Sequence, residues 1–191
     1  MGNSATDKKV IILLILLVCS TFLAFYVKQE GIIIWSSERH LSWEDFNAKP
    51  IDSNPHDAGS SVGISYHFKS KSNTIEINSV FYSLESWVKV DQKSSTLLNH
   101  EQGHFNITEI YSRKLRQKLS GKKFKKKNFE KEFKSIYDQV VKDMESMQEN
   151  YDIETNFSKN DGLQSSWKSK IFAELEELKY WSCADVSLII K

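Results

Sequence analysis

The run His100-Glu101-Gln102-Gly103-His104 is the part of the sequence whose residue types and spacing point most directly to chemistry. On a helix each residue advances by about 100°, so His100 and His104 lie about 40° apart on one face, close enough to bind one metal ion. Glu101 lies beside that face, where it can reach a water molecule at the metal without being a ligand. This HExxH pattern predicts a Zn²⁺ site with its own general base, as zinc-assisted hydrolysis requires.

A catalytic zinc site has three protein ligands and one open position, so a third ligand must come from elsewhere in the chain. Glu109 is excluded, because its side chain points about 180° away from that of His100. We select Asp152, since an amphipathic helix is predicted to end near it, and Tyr151 beside it could donate a hydrogen bond to an oxyanion. A plain helix C-cap and turn would explain the same polar segment, residues 151–156. The remaining histidines are weaker candidates: His40, His56 and His67.

The segment from residue 31 to about residue 90 predicts a small antiparallel sheet. Residues 32–35 are a short β-branched run, and residues 62–68 alternate between apolar and polar or small side chains. A third strand is predicted over residues 74–82. Residues 186–190 would close the chain as a further strand.

Helical patterns follow the predicted sheet. Ser94 or Ser95 caps a helix that runs toward Gly121 and carries the HExxH residues in its first half. Further helices are predicted from about 128 to 149 and from about 163 to 180, each with an apolar stripe. The predicted fold class is therefore α+β, with a small N-terminal antiparallel sheet followed by three helices.

The N-terminal region predicts membrane attachment. Residues 10–27 carry no charge and would span about 27 Å as a helix, close to the thickness of a hydrocarbon core. No clear cleavage site follows them, so we predict a transmembrane anchor or uncleaved signal. Lys8 and Lys9 place residues 1–9 in the cytoplasm, which puts residues 31–191 outside it, in the periplasm or at the cell surface.

Charge and cysteine content argue against a nucleic-acid partner and against a disulfide within the exported part. The net charge of +1 and the absence of a binding motif argue against nucleic acid. The lysine-rich run 122–127 fits either a contact with anionic lipid or polymer, or a solvated turn between helices. Cys183 is the only cysteine outside the apolar segment, so no disulfide can form within the exported part, and we expect it to be buried.

Four sequence blocks together resemble a known family. They are Leu41-Ser42-Trp43-Glu44-Asp45-Phe46, the block from Leu98 to Glu109, Tyr151-Asp152-x-Glu154-Thr155, and Gln164-x-x-Trp167. This combination resembles a bacterial family of unknown function (domain of unknown function 922) described as predicted secreted zinc-dependent proteases.

The resemblance implies a zincin-like domain in which His100 and His104 bind the metal and Glu101 is catalytic. It also implies that a strand before the metal helix aligns the substrate by edge pairing, for which residues 74–82 are the candidate. One position departs from the family pattern: relatives tend to have a histidine where this chain has Phe157.

These observations lead to two functional hypotheses. The first is a membrane-anchored zinc hydrolase acting on a peptide or protein substrate outside the cytoplasm, most simply a metallopeptidase. The alternative is a non-catalytic envelope-binding module with a vestigial or structural metal site. The two hypotheses are separated by measuring how much zinc each chain binds and whether Glu101→Gln abolishes turnover.

Overall fold

The structure is a computed structural model that describes residues 31–50 and 53–191. The predicted anchor, residues 10–27, and the predicted cytoplasmic residues 1–9 lie outside the described residues. Within the described ranges, no helix combines the length and the apolar character needed to cross a membrane.

The described residues form three α-helices and eight short strands, which confirms the α+β class. The helices are α1 (Ser95–Leu119), α2 (Phe129–Thr155) and α3 (Asp161–Glu177). The strands are β1 (Ile32–Ile34), β2 (Ala58–Gly59), β3 (Val62–Lys69), β4 (Thr74–Tyr82), β5 (Trp87–Val88), β6 (Lys123–Phe124), β7 (Asp185–Ser187) and β8 (Ile189–Ile190).

Helix α1 begins and ends where the sequence predicts. The Ser94 side chain accepts a hydrogen bond from the Leu97 amide at 3.2 Å, which is a standard N-cap. The helix stops before Gly121, which has a φ of 70°, a conformation that side chains other than glycine rarely adopt. Most of its residues are buried, because the sheet and the other two helices pack around it.

Strand β4 is the inner strand of the main sheet, whose order is β1-β4-β3, with β7 pairing alongside the first part of β4. The pair β3–β4 is antiparallel over its full length, from Val62 opposite Phe81 to Lys69 opposite Thr74. The prediction that residues 74–82 offer a free edge to substrate is therefore wrong. Burial in β4 alternates from residue 74 to residue 79, and Ser79, Val80 and Phe81 are all buried, so no residue of the strand is exposed.

The C-terminal segment, residues 179–191, contains two short strands, whereas the sequence predicts a single strand over residues 186–190. Strand β7 joins the main sheet, and β8 pairs in parallel with β6, which lies inside the lysine-rich run. Phe124 of β6 is buried while the lysines around it remain largely exposed. The run therefore contains a short strand with one core residue and is not simply a solvated turn. Cys183 is exposed and not buried, because Ala184, Val186 and Leu188 face the protein and the alternate positions face solvent.

Helix α2 is longer than the sequence predicts, continuing past residue 149 to Thr155. Its last turns carry Tyr151, which has no exposed surface, and Asp152. Exposed Glu149 and Asn150 resemble the end of an amphipathic helix, but they lie on its solvent face. Tyr151 and Asp152, which were predicted to lie at the end of this helix, are therefore within it, and helices hold side chains more precisely than loops do.

Glu109 faces away from the HExxH side of α1, as predicted, and takes part in a buried ion cluster. Its carboxylate accepts hydrogen bonds from Arg113 at 2.8 Å and Arg116 at 2.9 Å. Arg116 also donates to the carbonyl oxygens of Ile77 in β4 and Trp181 in the C-terminal segment. The cluster therefore ties α1 to the sheet and to the C-terminal part of the chain.

Replacing Glu109 with glutamine should destabilise the fold strongly. The substitution leaves two buried guanidinium groups without a counter-charge, so we expect the free energy of unfolding to fall by about 3–5 kcal/mol. Urea denaturation of the full-length chain measures this difference. Glu145→Gln, an exposed position on α2, is the matched control and should change stability by about 0.5 kcal/mol or less. Equal stability of both variants would contradict this role for Glu109.

Candidate metal centre

His100 and His104 project from the same side of α1 and converge. Their rings are nearly perpendicular, with an interplanar angle of 89°, and their centroids are 4.8 Å apart. The two Nε2 atoms lie 3.2 Å from each other. The side chains that the HExxH spacing brings together are therefore close enough to share one ion.

Asp152 on α2 completes a group of three donors. Its Oδ1 atom lies 3.0 Å from Nε2 of His100 and 3.0 Å from Nε2 of His104. The candidate third ligand from the sequence is thus placed beside both histidines. The other histidines are outside this group. His67 is exposed on β3, and His40 lines a different cavity. His56 lines the cavity that contains the three donors but is not one of them.

Gln148 determines the tautomer of His104. The amide Nε2 of Gln148 donates to the carbonyl oxygen of His104 at 3.0 Å, so its Oε1 faces the ring, 2.6 Å from Nδ1. An amide oxygen only accepts hydrogen bonds, so Nδ1 of His104 must carry the proton. In the neutral ring, the lone pair of Nε2 then points toward Asp152.

Gln164 fixes His100 in the same way. The Tyr151 hydroxyl donates to the His100 carbonyl oxygen at 3.3 Å, so it can accept a hydrogen bond from Nε2 of Gln164. Oε1 of Gln164 then lies 3.1 Å from Nδ1 of His100 and accepts its proton. Such hydrogen bonds behind metal-binding histidines orient the rings and set the tautomer.

This arrangement brings two nitrogen lone pairs and one carboxylate oxygen to the same point. The donor separations of 3.0, 3.0 and 3.2 Å are close to the edge of a tetrahedron of zinc ligands, about 3.3 Å for bonds near 2.0 Å. Three such atoms repel one another unless a cation lies between them. The residues present therefore fit a zinc ion by chemistry and by spacing.

The pKa shifts of His104 and Asp152 also indicate that the site favours a positive charge. Burial alone would lower the pKa of His104, but the hydrogen bond to Asp152 and the nearby Glu101 carboxylate raise that pKa above its ordinary value. Burial alone would raise the pKa of Asp152, but its close contacts with His100 and His104, which favour the carboxylate whenever a ring gains a proton, hold that pKa well below its usual range. A proton or a metal ion would supply the missing charge.

A family model matches residues 47–159, which is more than half of the chain, and its description is bacterial protein of unknown function (DUF922). The chain belongs to the DUF922 family. No curated protein and no solved structure gives a significant match. The matched range contains the three donors and Glu101, whereas Gln164, which orients His100, lies just beyond it.

Glu101 is a further acidic group at this site of the DUF922 protein, and it is not one of the three donors. It is 3% exposed, and Oε2 accepts a hydrogen bond from the Ser60 hydroxyl at 2.5 Å. Glu101 and the donors line one open cavity of about 390 Å³. A carboxylate held beside the ligands in this way can exchange protons with a molecule in the cavity.

Gly103 allows Tyr151 to pack directly behind the histidines. A Cβ atom at position 103 would overlap the Tyr151 hydroxyl, and the Tyr151 ring stacks on His100 at 4.6 Å. Burial raises the pKa of Tyr151 well above its ordinary value. Its hydroxyl bonds to the His100 backbone and Gln164 and does not line the cavity that contains Glu101, so this placement does not favour the predicted oxyanion role.

Phe157, the position at which the sequence departs from the pattern that the resemblance implies, also lines the cavity of this DUF922 protein. Its ring lies 4.3 Å from that of His56. The residues Asn156, Phe157 and Ser158 have φ values of 49°, 51° and 73°, so three consecutive non-glycine residues adopt the left-handed conformation. This run turns the chain sharply after α2 and places the aromatic ring beside the donors.

Sequence reasoning did not identify Gln148 or Ser60. Gln148 lies one helical turn before Asp152, so it shares that face of α2 and could have been found once the helix was extended. Ser60 follows the short strand β2, and its bond to Glu101 joins segments distant in sequence. No local pattern in the sequence points to that contact.

Replacing Gln148 with methionine should weaken zinc binding without removing a ligand. The substitution removes the acceptor for the Nδ1 proton of His104, and the loss of such a partner costs about 10- to 100-fold in metal affinity. Competition with a chromogenic chelator on the full-length chain measures the change. Gln139→Met, on the exposed part of the same helix, should leave the affinity unchanged. An unaltered zinc affinity in Gln148→Met would show that the hydrogen bond does not support the site.

Proposed function

We propose that this protein is a membrane-anchored, zinc-dependent hydrolase that acts outside the cytoplasm, most simply a peptidase with a zincin-like HExxH helix. The observation that carries the proposal is the convergence of His100, His104 and Asp152 with both histidine tautomers set by glutamines. A separate buried carboxylate, Glu101, in the same cavity supplies the second requirement of a hydrolase.

The three donors would hold Zn²⁺ through Nε2 of His100, Nε2 of His104 and Oδ1 of Asp152. Two nitrogens and one oxygen from protein, with a fourth position left open, are the composition of many catalytic zinc sites. When bound, zinc supplies Lewis acidity, which makes water a stronger acid and polarises a carbonyl group. The open cavity beside the donors gives substrate access to that position.

Glu101 would act as the general base and then as the general acid. Because Ser60 donates to Oε2, the other oxygen, Oε1, remains available to accept a proton from the attacking water. The carboxylic acid so formed would deliver that proton to the leaving amine. Ser60 would hold the carboxylate in place during both transfers.

Strand β2 is the element best placed to align a peptide substrate. It pairs through one edge with β5, and both of its residues, Ala58 and Gly59, line the cavity that contains Glu101. An extended peptide could add to the other edge by main-chain hydrogen bonds. Trp87, Leu97 and Phe157 would provide apolar contacts for its side chains.

The proposed location rests on the sequence of residues 1–27. An apolar segment of spanning length preceded by lysines would anchor the chain with residues 31–191 outside the cytoplasm. The domain would then act on substrates in the periplasm or at the cell surface.

Zinc content and turnover of the full-length chain, purified in detergent, test the proposal. We expect about one zinc per chain, loss of zinc in His104→Ala, and retained zinc with hydrolysis of casein reduced by at least 10²-fold in Glu101→Gln. Glu145→Gln is the control for the same change at an exposed site and should keep full activity.

The other outcomes of this experiment are also decisive. Zinc without hydrolysis of any protein or peptide substrate would favour the envelope-binding module with a structural metal site. No bound zinc would overturn both the enzymatic proposal and the metal assignment.

A further inference from the structure

A second cavity, of about 300 Å³, lies against helix α1 apart from the one that contains Glu101. None of the three donor residues lines it. Its wall includes Gly103, Tyr151 and Gln164, the residues that pack behind His100 and orient it. The proposed hydrolase mechanism does not use this cavity.

Asn106 in this cavity has a fixed orientation. Its Oδ1 accepts a hydrogen bond from Nε1 of Trp35 at 2.8 Å and another from Nε2 of Gln102 at 2.9 Å. The indole N–H can only donate, so the atom that receives it must be the amide oxygen. Gln102 is fixed as well, because its own Oε1 accepts from the Leu41 amide at 2.7 Å.

The amide nitrogen of Asn106 is left without a protein acceptor among the described residues. Asn106 is 9% exposed, and since its oxygen is engaged by Trp35 and Gln102, its two N–H groups are left for the cavity that it lines. The nitrogen atom itself is not sealed inside the protein, so its N–H groups can donate to whatever molecule fills the cavity, whether water or a ligand.

The other residues of the cavity wall indicate which chemical groups a bound molecule would carry. Lys168 is exposed on the wall and forms no ion pair within the described part of the chain, so it offers a positive charge. Phe172, 49% exposed, and buried Ile171 offer an apolar surface. Asp161, on the same wall, could accept a hydrogen bond from an ammonium group.

We propose that this cavity binds a small carboxylic acid with an apolar side chain, of the size and kind of a free amino acid. The carboxylate would accept hydrogen bonds from Asn106 and Lys168, and the apolar part would lie against Phe172. A bound molecule would also contact Gln164, which holds His100. The site goes beyond the proposed hydrolase activity and does not depend on it.

Ligand-observed NMR titration of the full-length chain tests the proposal with three probes. N-acetyl-L-leucine and L-leucine carry the carboxylate, and N-acetyl-L-leucinamide does not. We expect the two acids to bind with dissociation constants in about the millimolar range and the amide to bind at least tenfold more weakly. The NMR titration measures binding and not turnover, and it is done with and without zinc. The result is therefore valid whether or not the protein is a hydrolase.

Asn106→Asp is the decisive variant, because it keeps the oxygen that Trp35 and Gln102 contact and replaces the free N–H donor with a second oxygen. We expect it to weaken binding of both acids at least tenfold. Asn128→Asp makes the same change of charge outside the cavity and should bind as the parent does. Circular dichroism checks that the variants fold. Lys168→Met, at an exposed position, is a second variant, and we expect it to weaken binding of both acids several-fold.

Three results would overturn the proposal. They are no binding of either acid at concentrations of about 10 mM, equal binding of acid and amide, and binding of the acids that neither Asn106→Asp nor Lys168→Met reduces. The first would mean that water alone satisfies Asn106.

Discussion

The arrangement on which the site depends is electrostatically unfavourable without a cation. Two imidazole nitrogens and a carboxylate oxygen meet within 3.2 Å, with the ring protons held on the opposite side by Gln148 and Gln164. Folding must hold these groups together against their repulsion. The rigid placement of the donors on two long helices, α1 and α2, makes this possible.

Helix α1 can carry this group because its opposite side is strongly anchored. Glu109, Arg113 and Arg116 are buried and join the helix to β4 and the C-terminal segment. Gly103 lets Tyr151 pack closely on the metal side of the same helix. The histidines therefore belong to an element whose rotation and translation are both restricted.

Local sequence patterns predicted the parts of the fold that local forces determine. The cap at Ser94, the glycine after α1 and the alternation in β3 gave correct elements, and HExxH gave the two histidines. The inner position of β4 and the length of α2 depend on tertiary packing, which periodicity does not report. Asp152 was named from its chemistry, whereas Ser60 required the three-dimensional arrangement.

The left-handed run at residues 156–158 has a consequence for how this region can change. A left-handed conformation costs roughly 1–2 kcal/mol for each non-glycine residue, so glycines would be the least demanding choice for the backbone. The chain keeps larger side chains there, and one of them forms part of the cavity wall. Because this cost comes from the Cβ atom, only glycine would remove it, and a glycine at position 157 would also remove the aromatic ring from the cavity wall.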